Sequence, residues 1–129
     1  MKAPAFNFIR IAASSLSVLA LVACKTENEA SFANDVQPVL NKYCIECHTA
    51  GGAGMEASGL DLSSYEGVMA GTRNGPMVFA GDSLGSNLVV LMEGRADPSI
   101  KMPHGSSDKV SAAEMTGIKT WIDQGAINN

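Results

Sequence analysis

The chain has 129 residues, 46% of them hydrophobic and 17% charged, and its 13 acidic side chains outnumber nine basic ones for a net charge of −4. That balance excludes the basic surface on which nucleic-acid binding rests. The length, once an N-terminal leader is set aside, leaves room for one core and not two.

Residues 1–23 read as an export signal. Lys2 and Arg10 give it a positive start, and residues 11–22 give it an apolar stretch. The stretch is shorter than the about 20 residues a spanning helix needs. It ends in Leu21-Val22-Ala23-Cys24, which resembles the lipobox of bacterial lipoprotein precursors. That resemblance implies cleavage before Cys24 and lipidation of Cys24, and several acyl chains make a stable membrane anchor. An ordinary cleaved signal that happens to precede a cysteine is the competing reading. Residues 24–31 are expected to be the lipidated cysteine and a polar, flexible tether, which leaves 32–129 as the folded domain. Lys25 is not the aspartate associated with retention at the inner membrane of Gram-negative lipoproteins, so the implied location is the outer membrane facing the periplasm, with cell-surface display as the alternative.

A first helix is expected from about Asn34 into Cys44, because Val36, Val39, Leu40 and Tyr43 fall at the three-and-four spacing of one helix face. Pro38 fits near its start, where backbone N–H groups lack internal acceptors. Residues 49–59 form a glycine-rich connection. Ser63 and Glu66 have the spacing of a capping box opening a short helix through Ala70, closed by Gly71. After a second glycine-marked loop over 71–81, the apolar run Leu84, Leu88, Val89, Leu91 and Met92 predicts a third helix ending at Gly94. Ser111 and Glu114 form another capping box, and Met115, Ile118, Trp121 and Ile122 line one face of a terminal helix. No stretch alternates with the period of a strand. The predicted class is all-α, with about four helices and long glycine-rich loops.

The chemistry sits in Cys44-Ile45-Glu46-Cys47-His48, the Cys-x-x-Cys-His pattern of covalent haem attachment. Two thiols three residues apart can each add to a porphyrin vinyl group, and the adjoining histidine then serves as an axial iron ligand. Two other readings stay open: a redox disulfide, for which no βαβ pattern is present, and a zinc site shared with His104, for which adjacent Cys47 and His48 are poorly spaced. With haem present, the long loops have a large apolar surface to pack on. A sixth ligand is sought in Lys101-Met102-Pro103-His104-Gly105, just before the terminal helix. Met102 is the first choice and His104 the alternative, while Met55, Met69, Met77, Met92 and Met115 read as core fillers. Trp121 reads as a packing residue more than a shield for the haem edge. Arg73 and Arg95 are placed either at the haem propionates or at the solvated surface.

These features resemble the small mono-haem cytochrome c domains, in particular the cytochrome c-like domain of exported planctomycete-type proteins. The resemblance covers nearly all of the mature chain expected from Cys24 onward. It is carried by Asp35-Val36-Gln37-Pro38-Val39-Leu40, the motif itself, Ser58-Gly59-Leu60-Asp61-Leu62, Gly81-Asp82 leading to Ser86-Asn87-Leu88, Met102-Pro103 and Trp121-Ile122-Asp123-Gln124-Gly125-Ala126. Phe79-Ala80 stands where such domains often carry a proline. The resemblance implies one covalent haem c on Cys44 and Cys47, His48 as proximal and Met102 as distal iron ligand, and electron transfer in place of catalysis. A haem peroxidase or gas sensor with a labile Met102, and a relay subunit of a larger redox complex, are the alternatives. The expected partners are redox proteins and, through the lipid, a membrane, with neither nucleic acid nor a small-molecule substrate. From Cys24 onward the net charge is −6, which would steer the protein toward a basic partner face in a salt-dependent way.

Overall fold

The computed structural model describes residues 29–105 and 109–129. The expected signal over 1–23, Cys24 and the tether as far as residue 28 lie outside the described residues. Among the described residues there are five α-helices and no strand: α1 (Gln37–Tyr43), α2 (Ala53–Ser58), α3 (Tyr65–Ala70), α4 (Asn87–Glu93) and α5 (Ala112–Asp123). A π-turn, Phe32–Val36, leads into α1, and a 3₁₀ turn, Pro98–Ile100, precedes the loop that carries Met102. An isolated bridge between Thr72 and Gly75 is the only extended pairing among these residues. None of these helices is long and apolar enough to cross a membrane.

The first helical segment starts earlier than the apolar spacing alone predicts. Ser31, in an extended conformation, accepts the backbone N–H of Asn34 and so acts as the cap. The wide turn after this cap has a local cause in Pro38, which lacks an N–H and whose ring would collide with the carbonyl four residues back in a regular α-helix. The Gln37 N–H reaches back to Phe32 O instead, the five-residue step of a π-turn.

The helix count differs from expectation because residues 49–59 are not all loop. Ala53–Ser58 forms α2, held at its start by Gly52 N–H on Thr49 O at 2.8 Å and closed by Gly59 in the left-handed region at φ 80°. The cap of α3 also shifts. Asp61 Oδ1 accepts both the N–H and the hydroxyl of Ser63, so Ser64 caps the helix by accepting Gly67 N–H, and the expected Ser63–Glu66 box does not form. In the third predicted helix, residues 82–86 turn around Asp82 and Asp123, leaving Leu84 65% exposed before α4 begins. Gly71 and Gly94 stop their helices as predicted, and the Ser111–Glu114 capping box is complete.

The π-turn packs on both α1 and α5, and Val36, Leu40, Val68, Val89, Ile118, Trp121 and Ile122 are fully buried. Each such side chain contributes roughly 1.5–3 kcal/mol by leaving water. Trp121 is the hub: its ring lies 5.4 Å from Phe32 and 6.3 Å from Tyr65, and its Nε1–H donates to Ile127 O at 2.8 Å. Near this trio the two ends of the described fold are joined. Ala30 N–H donates to Gln124 Oε1, Phe32 N–H to Asn129 Oδ1 and Ala33 N–H to Asn129 O, at 3.0, 2.9 and 3.0 Å. From this clasp α1 carries the chain to Cys44.

Candidate haem site

At the end of α1 the backbone tightens into the turn that holds the motif. Leu40 O accepts the N–H groups of Cys44 and Ile45, and Cys44 O accepts those of Cys47 and His48, at 3.1 and 2.9 Å for the last two. One turn therefore carries both thiols and the imidazole. Two more bonds hold residues 49–62 against this turn: Cys47 O accepts Met55 N–H from α2, and His48 O accepts Leu62 N–H. The glycine-rich stretch is thereby stitched back onto the motif, bringing α2 and Leu60 against His48.

His48 is buried, 9% exposed, with Nδ1 3.3 Å from Leu60 O. A carbonyl can only accept, so Nδ1–H donates in this contact and Nε2 is the ring nitrogen left to ligate a metal. Gly54 presses on the ring: a β-carbon there would stand 2.7 Å from His48 Cε1 and 2.8 Å from Nε2. Cys44 is half-buried and Cys47 exposed, and both are free thiols. Burial, and secondarily the neighbouring Cys47, push the Cys44 thiol up to about 11.

Cys44, Cys47 and His48 open onto a cavity of about 510 Å³. Leu60 and Leu62 line it, together with Met77, Leu88, Leu91 and Met92 around α4, and Ala53, Gly54 and Ala57 on α2. Met102, Pro103 and His104 close it from the loop before α5, so the two residues weighed as sixth ligand line the same space as the motif. Met102 is held there by its N–H on Leu91 O at 3.1 Å. Met77 and Met92, read from sequence as fillers, are buried and face this cavity. A second hollow, about 550 Å³ and lined about equally by polar and apolar surface, shares Tyr43, Cys47 and His104 with the first and adds Asn41, Lys42 and Thr49.

Three other residues singled out in the sequence lie elsewhere. Trp121 does not line the cavity and belongs to the aromatic trio. Arg73 donates to Glu56 O, and Arg95 pairs with Glu93 Oε2 at 2.7 Å while donating to Leu84 O; both are exposed. Among the described residues no three His, Cys, Asp or Glu side chains are grouped to hold a metal ion by themselves, which leaves the zinc reading without a ligand set. Sequence reasoning missed α2, Gly54 and the Leu60 carbonyl. Only the glycine richness of residues 51–54 hinted at a close approach there.

An all-α fold that opens a Cys-x-x-Cys-His turn and a loop methionine onto one apolar cavity defines a cytochrome c-like domain. Residues 44–105 match the family model described as planctomycete cytochrome C, which supports a cytochrome c-like domain. No curated protein and no solved structure matches it. The family implies haem c as cofactor and haem-based electron transfer as the general role. The residues present fit that group: the volume lies within the about 300–1,000 Å³ usual for cofactor sites, the walls are apolar, two free thiols have the attachment spacing, and the His48 imidazole lines the same space with Nε2 not engaged by Leu60.

Proposed function

We propose that the protein is a one-electron carrier holding a single haem through thioethers at Cys44 and Cys47, with His48 as proximal and Met102 as distal iron ligand. The observation that carries this reading is the shared cavity, whose wall includes all four side chains and is otherwise almost wholly apolar. When bound, haem supplies reversible one-electron chemistry at iron. The chain supplies the rest. The Leu60 carbonyl holds His48 in the ligating tautomer, α4 and Leu60–Leu62 exclude water, and α2 and the 49–59 segment wrap the cofactor. A thioether opposite the imidazole favours ferrous iron and raises the reduction potential over a second imidazole, and a six-coordinate iron has no open position for a substrate.

Export by residues 1–23, a lipid on Cys24, an outer-membrane position facing the periplasm and a redox protein with a basic face complete the proposal. They rest on the N-terminal pattern and the acidic charge.

The test is made on protein matured in a host that attaches haem c. Haem that resists acid-acetone extraction, a reduced protein that binds no carbon monoxide, and a lower reduction potential in Met102→Ala are expected. A colourless protein would sink the reading, and ready carbon monoxide binding by the reduced wild type would turn it toward a peroxidase or gas sensor. Mass spectrometry of the mature N-terminus checks the lipid on Cys24.

A further inference from the structure

Two side chains able to ligate iron line the cavity from one loop: the Met102 thioether and, two residues on, the His104 imidazole. The carrier proposed above uses only the first. We infer that His104 is a second distal ligand, and that oxidation of the iron exchanges Met102 sulfur for His104 nitrogen. This rests on that haem-carrier reading and adds a redox-driven switch to its site.

The two residues are held very differently. Met102 is half-buried and its backbone is pinned to Leu91 O. His104 is exposed and, among the described residues, its ring makes no hydrogen bond, so bringing it to the iron breaks none. It also lines both the apolar cavity and the second hollow beside it. Gly105 comes next, in the left-handed region at φ 65°, with nothing within 4 Å of the position a β-carbon would take. Gly105 thus leaves open space beside His104 as the ring swings from one space into the other.

The chemistry supplies the direction. Thioether sulfur is a soft donor that favours ferrous iron, whereas imidazole favours the ferric state relative to it. When ferrous iron passes one electron to its redox partner, the iron–sulfur bond breaks and the lone pair of His104 forms an iron–nitrogen bond. Reduction reverses both steps, and no other atom is transferred. The carrier then meets its donor with two imidazoles and its acceptor with a thioether, which slows the return of an electron just delivered.

The experiment uses the matured holoprotein as wild type, Met102→Ala, His104→Ala and the double variant. Electron paramagnetic resonance and the far-red thioether-to-ferric-iron absorption band report the ligands, and cyclic voltammetry at increasing scan rate reports the exchange. The expected ferric wild type has a bis-imidazole signal and no far-red band. His104→Ala gains the band, Met102→Ala stays low-spin in both oxidation states, and the double variant turns high-spin. Wild-type voltammograms separate into two couples at fast scan, and those of His104→Ala do not. A ferric wild type that already shows the band, unchanged in His104→Ala, would overturn the exchange and leave the carrier intact, as would a high-spin Met102→Ala. Failure of the carrier itself reads differently, as a protein without covalent haem or one whose reduced wild type binds carbon monoxide.

Discussion

Gly54→Ala sets two effects of opposite sign against each other, and the geometry around His48 decides between them. Gly54 has an ordinary negative φ and lies in the first turn of α2, so alanine there gains at most about 1 kcal/mol of helix propensity. Against that gain, the added methyl would meet His48 Cε1 at 2.7 Å, Nε2 at 2.8 Å and Cys47 O at 3.0 Å. Ordinary van der Waals contact begins near 3.4 Å, so the ring must retreat by about 0.7 Å. It has little freedom to do so. His48 is buried, its Nδ1–H bond to Leu60 is already 3.3 Å long, and the backbone beneath it is fixed by Met55 N–H on Cys47 O. Overpacking a closed site costs about 1–3 kcal/mol, and loss of the Leu60 bond adds about 1 kcal/mol. Net destabilisation of about 1–3 kcal/mol results, which for a domain near 100 residues lowers Tm by roughly 5–15 °C. The assay is thermal unfolding of the matured protein by circular dichroism, alongside its reduction potential and Soret spectrum, which should change because the displaced group is the proposed proximal ligand. An unchanged or higher Tm with an unaltered spectrum would refute the claim that Gly54 is there to admit the imidazole.

Gly117→Ala is the converse case: its β-carbon would sit 3.4 Å from Asp35 Cβ within α5, so helix propensity dominates and the protein gains about 0.5–1 kcal/mol in denaturant unfolding. Trp121→Phe removes the bond to Ile127 O and part of the aromatic trio, costing about 1–3 kcal/mol, yet it leaves the reduction potential unchanged because Trp121 does not line the cavity; a shifted potential would restore a haem-shielding role. Acid unfolding reports the cap of α5. Hydrogen bonds from Ser111, then from Tyr43, and the charge of Lys42 hold the Glu114 carboxyl down at about 2, below its ordinary 4.5. Because the folded value is depressed, this stabilisation is complete above about pH 4.5 and is lost as pH falls toward 2. Far-UV circular dichroism of Glu114→Gln should therefore show a weaker pH dependence than wild type across that window.

Features written into side-chain type were legible in the sequence. The haem motif, the glycine stops at Gly71 and Gly94, and the Ser111–Glu114 box each depend on residues whose chemistry admits few other roles. What escaped was set by competition or by backbone. Ser63 looked like a cap until Asp61 claimed its hydroxyl, and Ser64 took over one residue later. Leu84 continued the apolar spacing of α4, but Asp82 and Asp123 hold the preceding segment in a turn that points it outward. α2 has almost no apolar face and so no periodicity to detect, and it is anchored by the carbonyl of Cys47. The orientation of His48 is likewise decided by the carbonyl of Leu60, a group every residue possesses and no sequence pattern marks. The cavity itself draws on residues as far apart as Cys44 and His104, so only the folded chain gathers them onto one surface.

The clasp between residues 30–33 and Asn129 bears on how the domain would respond to a pull. A force applied through residue 29 loads four hydrogen bonds to Gln124 and Asn129 and, behind them, the ring of Phe32 seated against Trp121. It meets that joint before it reaches α1, and the whole of α1 lies between the joint and Cys44. Strain is therefore taken up first at this clasp, before it can be passed along α1 to the haem motif.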